Sequence, residues 1–208
     1  MPLHFNFYEA SEAGEKYDMS RLLDGSLVMA DGCHAVTFVD NHDSQPDSSL
    51  QSDVQDWFKP LAYALILLMK DGYPVIFYGD YYSICHHEEE PDGNVDDVRE
   101  ASPHRHIIDI LLEARCRYAY GEQTLLFDHC STVGLIRHGD AEHPGSGLVM
   151  LMSNGDEGSK HIDLGPEHAG ETWREFTGSI PDTITLDENG CAEFRTQGRN
   201  VAVWVKES

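Results

Sequence analysis

The stretch Ala35-Val-Thr-Phe-Val-Asp-Asn-His-Asp-Ser-Gln-Pro46 decides the reading of this chain. Ala35–Val39 is rich in β-branched and aromatic side chains and predicts a short strand, which stops abruptly in the polar burst Asp40-Asn-His-Asp43. In parallel β/α folds the chemistry sits at the C-terminal ends of strands, because the loops there are free of packing duties. An aspartate at such a place can bind a metal, act as acid or base, or hydrogen-bond a polyhydroxy ligand. The competing reading is that Asp40 and Asp43 cap the next turn or helix while His42 packs. Spacing alone does not separate the two.

Outward from this stretch, the first half alternates strand-like and helix-like segments. Leu3, Phe5 and Phe7 alternate with His4, Asn6 and Tyr8, a period-2 pattern that predicts a strand. After the polar burst, Ser52 and Gln55 fit a capping box, and an apolar pattern runs from Val54 to Met69 before Asp71-Gly72 closes it. Pro60 lies inside that pattern and predicts a kink or a late helix start. Pro74–Tyr78 reads as another strand and His86–Glu100 as an acidic loop. Ser102-Pro103 reads as N-cap and N1 proline of a helix that stops at Gly121. Near residue 122 the character changes. Eight short β-rich runs follow, at 124–127, 132–137, 148–152, 161–164, 172–176, 183–186, 192–195 and 201–205, with glycine-marked turns between them. That spacing predicts an antiparallel sandwich.

The chain has 208 residues, 40% apolar and 25% charged, ordinary globular usage that argues against disorder. Its charge is unusual: 14 Lys+Arg against 37 Asp+Glu leave a formal net charge of −23. Such a surface repels phosphate backbones and anionic headgroups, so nucleic-acid and membrane partners are not expected, and a neutral or cationic ligand fits better. The longest apolar run, Leu61–Met69, is too short to span a bilayer and fits a buried helix. Five cysteines stand at wide spacing without a CxxC pair, which suggests neither a disulfide framework nor a zinc ribbon. With no signal-peptide pattern at Met1, reduced thiols and a cytoplasmic location are the expectation.

The stretch 35–46 resembles the fourth conserved region of the α-amylase family, glycoside hydrolase family 13. Tyr17-Asp-Met19, Trp57-Phe-Lys-Pro-Leu-Ala-Tyr-Ala64, Gly72-Tyr-Pro74, Phe77-Tyr-Gly-Asp80, Tyr118-Ala-Tyr-Gly121, Phe127-Asp-His129 and Ala169-Gly-Glu-Thr-Trp173 are similar to the bacterial liquefying and intracellular α-amylases, in order along the chain. The resemblance implies a fold: residues 1–121 as the last part, about units 6–8, of a (β/α)8 barrel, and 122–208 as an all-β Greek-key domain C. Residues 36–39 and 75–78 would be strands seven and eight of that barrel.

The resemblance also implies roles. The family consists of retaining glycosidases acting on α-1,4-glucosidic bonds of starch-like glucans, a chemistry that needs a nucleophilic and an acid/base carboxyl about 5–5.5 Å apart. Asp43 matches a third carboxylate, the transition-state stabiliser that grips hydroxyls of the distorted sugar. His42 matches a histidine that binds the same sugar. Such contacts strengthen as the ring flattens, and so favour the transition state over bound substrate. The nucleophile and the acid/base follow strands four and five of the family, and no segment here resembles either, so the isolated 208-residue chain is expected to be inactive. Incomplete barrel closure also predicts that the first part is unstable by itself and that domain C is the more independent folder. A non-catalytic α-glucan-binding or scaffold protein is the alternative.

No cofactor is expected with confidence. The resembled enzymes carry calcium between barrel and domain C, on carbonyls near the turn before Tyr17 and on two aspartates. Ser131 and Asn154 stand at those aspartate positions, and the loss of two carboxylates weakens any hard-cation site. The run Cys85-His86-His87-Glu88-Glu89-Glu90 is rich in ligand types but reads first as a solvated acidic loop. Trp57 and Trp204 read as core; Trp173, and Tyr81 and Tyr82 as sugar-stacking rings, stay open.

Overall fold

Residues 1–46, 48–83 and 103–207 are described by a computed structural model, together with the backbone of two strands at 85–89 and 95–99. The chain opens with a helix, α1 (Pro2–Ala13), where the alternation of Leu3, Phe5 and Phe7 predicted a strand. Leu3, Phe7 and Ala10 recur at helical spacing and are buried, whereas Phe5 is 43% exposed. Three alternating residues are too few to separate a period of 2 from one of 3.6, and Pro2 stands in the first helical turn, where its missing N–H costs nothing.

A one-turn helix α2 (Leu27–Ala30) precedes β1 (Val36–Phe38), the strand expected at 35–39. Helix α3 (Lys59–Leu68) then leads to β2 (Tyr73–Val75), which pairs with β1 in parallel, Val36 opposite Tyr73 and Phe38 opposite Val75. Pro60 in the first turn delays α3 to Lys59, which resolves the choice between kink and late start. Ser52 is therefore not its cap; its hydroxyl instead meets His4 Nε2 at 3.1 Å. Every residue from Leu61 to Leu68 is buried, so α3 is apolar all round because it lies between the β1–β2 pair and the second half of the chain.

The short helix α4 (Tyr78–Tyr82) follows β2, so the predicted strand at 74–78 ends earlier than its composition suggested. Strands β3 (Cys85–Glu89) and β4 (Val95–Arg99) form an antiparallel pair where an acidic loop was expected. The side chains of Cys85–Glu90, and Ser102 with them, lie outside the described residues. Helix α5 (Arg105–Tyr118) starts with His104 in the N-cap position, two residues later than the Ser102-Pro103 reading.

All eight predicted β runs in the second half are strands: β5 (Gln123–Leu126), β6 (Thr132–Arg137), β7 (Leu148–Ser153), β8 (Gly158–Asp163), β9 (Thr172–Glu175), β10 (Thr183–Thr185), β11 (Cys191–Thr196) and β12 (Asn200–Lys206). They form an antiparallel sheet ordered β10-β9-β12-β7-β6-β5, covered by the pair β11-β8. Strand β12 returns from the far end of the chain to lie between β7 and β9.

The central strands β6 and β7 are buried on both faces, which explains the unbroken apolar run Leu148–Met152. One face (Val133, Leu135, Met150, Met152, Val203 and Val205) joins the core built by α1, α3 and α5. The other face (Val149, Leu151, Ala202 and Trp204) packs on Phe194 and Ile162 of the covering pair. The helical half and the sheet thus share one continuous core.

Gly121 sits where helix gives way to sheet. Its φ of +75° favours glycine, and a Cβ there would meet Gly139 O at 1.8 Å. Buried Arg137 fastens the same joint, its guanidinium donating to Leu68 O at 3.1 Å and to Gly121 O at 3.0 Å.

Candidate functional site

The loop after β1 divides the polar burst into an inward and an outward half. Asp40 turns inward and is 2% exposed. Its Oδ1 accepts from Ser44 Oγ at 3.1 Å, and the Val54 amide donates to the carboxylate at 3.3 Å. Lys59, at the start of α3, reaches Asp40 Oδ2 at 3.2 Å and Asp80 Oδ1 at 2.6 Å. Tyr63, one turn further along α3, donates to Asp80 Oδ2 at 2.6 Å and accepts from the Phe77 amide at 3.3 Å. Asp80 belongs to α4, just past β2, so one lysine ties together the segments that leave the C-terminal ends of both parallel strands.

Burial and Asp80 push the Asp40 carboxyl above the usual range, against the pull of Lys59. Burial alone would lower Lys59, but the two carboxylates outweigh it and hold the ammonium above its ordinary value. Burial and Asp80 likewise push the Tyr63 phenol up, so it stays a neutral donor. Two carboxylates, an ammonium and a phenol, closed off from solvent, make a structural clamp rather than a reactive group. On α1, His4 extends it, its Nδ1 lying 2.6 Å from Val39 O. The competing reading, in which Asp40 caps the next helix, gives way to a buried role: its partners are Ser44, the Val54 amide and Lys59, and α3 has no side-chain cap. Lys59, Tyr63 and Asp80 were missed as a set, although a lysine at the head of an otherwise apolar helical run was a signal that a buried anion awaited it.

His42 and Asp43 turn outward. Their side chains are 84% and 60% exposed, and His42 Nε2 lies 3.2 Å from Asp43 Oδ1. The loop is held from behind: Asn41 Oδ1 accepts from the amides of Asp43 at 2.8 Å and Ser44 at 3.1 Å, and the Ser48 hydroxyl bonds Asp43 O. The turn thus presents an imidazole and a carboxylate to solvent at the C-terminal end of a parallel strand, where a polyhydroxy ligand can be hydrogen-bonded.

Past β2, Tyr78 and Tyr82 are exposed, with ring centroids 4.7 Å apart. Tyr81 is held by packing, its hydroxyl donating to Asp109 Oδ1 at 2.6 Å. Trp204 is fully buried and Trp173 is 4% exposed within the sandwich core. Trp57 is half-buried, donates to Ser11 O at 3.1 Å and lies under the Arg199 guanidinium.

The junction between the helical half and the sheet does not suit a hard cation. Buried Asn154 directs its amide N–H groups at Gly14 O (2.8 Å) and Tyr17 O (2.9 Å), while its Oδ1 has no hydrogen-bond partner. Ser131 spends its hydroxyl on His129 Nδ1 at 3.2 Å. Calcium needs six to eight oxygens, usually with several carboxylates. Here a donor, not an anion, faces the two carbonyls.

No protein-family profile matches the chain. Curated relatives do. It is 45% identical over 207 residues to the glucan 1,4-α-maltohexaosidase of Bacillus sp. (strain 707), covering 100% of this chain and 38% of the relative. It is 46% identical over 206 residues to the cytoplasmic α-amylase of Escherichia coli K12, covering 99% and 41%. It is 45% identical over 204 residues to the α-amylase of Geobacillus stearothermophilus, covering 98% and 35%. The chain therefore spans only about two fifths of the length of the relatives it matches, in their C-terminal portion. The solved α-amylase of Geobacillus thermoleovorans, complexed with acarbose, superposes with a TM-score of 0.53 at 23% identity, over 82% of this chain and 38% of that one. The γ-CGTase of Bacillus clarkii gives 0.54 at 20% identity, over 83% and 26%. Those likenesses show a fold made of part of the barrel and a β-sandwich C domain. Along its whole length, this chain belongs with the C-terminal portion of the α-amylases.

Proposed function

We propose that this chain is the sugar-gripping, C-terminal portion of a retaining α-amylase-type glycosidase. In this reading residues 1–121 belong to the catalytic barrel and 122–208 to domain C. Asp43 is the transition-state stabiliser, His42 binds the same sugar ring, and the substrate is an α-1,4-glucan. The observation that carries the reading is the division of the polar burst Asp40-Asn-His-Asp43. Asp40 is sealed in the Lys59 clamp, while His42 and Asp43 stand outward and adjacent.

Two hydrogen-bond acceptors on a sugar's hydroxyls favour a ring flattened toward an oxocarbenium ion, provided those bonds shorten as the ring distorts. They neither attack the anomeric carbon nor protonate the leaving oxygen. Asp40 cannot stand in for either group, because Lys59, Ser44 and the Val54 amide occupy its oxygens. The isolated chain therefore binds but does not turn over glucan, and a cytoplasmic location belongs to the same reading, supported by Cys33, Cys116, Cys130 and Cys191 standing free among the described residues.

The test is a chimera. The part of the E. coli cytoplasmic α-amylase that precedes the matched region is fused to this chain and assayed on soluble starch. The chimera is expected to hydrolyse starch, Asp43→Asn to lower kcat at least a hundredfold, and the 208-residue chain to show none. Starch hydrolysis by the purified chain, or full activity in the Asp43→Asn chimera, overturns the reading. A folded chimera without activity, paired with glucan binding by the 208 residues, favours the non-catalytic alternative.

A further inference from the structure

The opposite end of β1 carries a second group of side chains, which the proposed sugar site does not use. Asp31, Cys33 and His34 lie on the short segment between α2 and β1, and all three are exposed. Their donor atoms converge. Cys33 Sγ is 3.2 Å from Asp31 Oδ1 and 3.2 Å from His34 Nδ1, and His34 Nδ1 is 2.9 Å from both Asp31 oxygens.

The backbone beneath them is fixed at four points. Asp31 N donates to Leu27 O at 2.7 Å and His34 N to Asp31 O at 3.3 Å. Gly32 O accepts from Gly72 N at 3.0 Å, and Ala35 O accepts from Tyr73 N at 2.7 Å. Gly32 is also pressed onto Asp71, since a Cβ there would lie 2.6 Å from Asp71 Cβ. The three side chains thus spring from a segment hydrogen-bonded into the start of the parallel sheet.

We propose that Asp31, Cys33 and His34 form a binding site for a zinc-class divalent metal ion. A thiolate, an imidazole and a carboxylate form the mixed sulfur, nitrogen and oxygen set that suits zinc and its neighbours, whereas calcium and magnesium take oxygen alone. Bonds of about 2.0–2.3 Å in tetrahedral array place donor atoms roughly 3.3–3.7 Å apart. The three here need to open by only a few tenths of an ångström, a small rotation for exposed side chains. Thiolate and carboxylate neutralise a dication, the histidine stays neutral, and the acidic chain draws cations toward its surface. Three protein ligands leave a fourth position to water or to a small anionic ligand.

The experiment uses cobalt as a spectroscopic stand-in for zinc. Reduced, chelator-treated 208-residue chain is titrated with Co2+, and the near-ultraviolet thiolate-to-cobalt absorption is followed, then displaced with Zn2+. One equivalent is expected to bind with that absorption, and zinc is expected to abolish it. Cys33→Ser and His34→Ala are each expected to lose the band and at least tenfold in affinity. Cys116→Ser and Cys130→Ser, at exposed thiols elsewhere, are expected to keep both. Far-ultraviolet circular dichroism checks that the exposed substitutions leave the fold intact. Absence of the band in the parent chain, or its survival in either Cys33→Ser or His34→Ala, overturns the assignment.

Discussion

Removing the ammonium of Lys59 is the sharpest test of the clamp beneath the sugar-facing loop. Lys59→Met keeps the length and most of the packing volume of the side chain but takes the ammonium away from both carboxylates. Asp40 and Asp80 are 2% and 3% exposed, and Lys59 reaches both, at 3.2 and 2.6 Å. Breaking a buried ion pair by removing one partner costs about 3–5 kcal/mol, because the remaining charge has neither water nor counter-ion. Lys59 is the cationic partner in both contacts, so a loss within that range is expected. A loss of about 4 kcal/mol corresponds to a Tm lowered by roughly 8–16 °C in a domain of this size.

The loss depends on pH in a definite direction. The Asp40 carboxyl already sits above its ordinary range through burial, and losing Lys59 raises it further. The native variant then holds a proton that the unfolded chain releases, so its stability falls as pH rises above the unfolded carboxyl value and recovers as pH falls. Urea unfolding followed by tryptophan fluorescence at two pH values measures both effects, and Asp40→Asn in the Lys59→Met background is expected to recover at least about 1 kcal/mol. A Lys59→Met chain within about 1 kcal/mol of the parent, or one no closer to it in acid than at neutral pH, refutes the buried-clamp reasoning.

Alkali should act on the same cluster. Lys59 and Tyr63 are both held above their ordinary values, so their contributions are complete below about pH 10 and are lost as pH rises toward the folded values; each group adds a slope of about −1.4 kcal/mol per pH unit, and Tyr63→Phe removes one of them in pH-dependent urea unfolding. At the junction, Asn154→Asp turns a donor into an anion facing Gly14 O and Tyr17 O, and should cost about 1–3 kcal/mol in chelator. Calcium should restore Tm in the Ser131→Asp, Asn154→Asp double variant and leave the parent unmoved; a chelator-treated parent whose Tm rises on adding calcium contradicts the amide clamp. Asp43→Asn alters an exposed side chain and should leave Tm within about 2 °C of the parent in a thermal melt, separating its proposed sugar role from any role in the fold.

The β half was the most legible part of the chain. Glycine-punctuated turns and runs of β-branched residues carry local information, and each of the eight runs became a strand. The first helix was misread because Leu3, Phe5 and Phe7 fit either period over so short a window. Helix α3 showed its apolar content but not its start, since Ser52-Gln55 imitates a capping box whose hydroxyl is used instead by His4, 48 residues away in sequence. In the candidate site, the outward pair His42 and Asp43 was named from the sequence, whereas the fate of Asp40 was left open.

Taken alone, the sequence determined the element types of the second half, the parallel strand that ends in Asp40-Asn-His-Asp43, and the relatives the chain resembles. These rest on local periodicity, turn chemistry and the order of short motifs. Only the tertiary structure decided that Asp40 points inward and Asp43 outward, that Lys59 closes a circuit to Asp80, and that the Asn154 amide faces the carbonyls of Gly14 and Tyr17. Those choices depend on partners 19 to 140 residues apart. A buried charge takes the orientation in which its distant counter-charge removes the desolvation cost, and no local pattern specifies where that partner will lie.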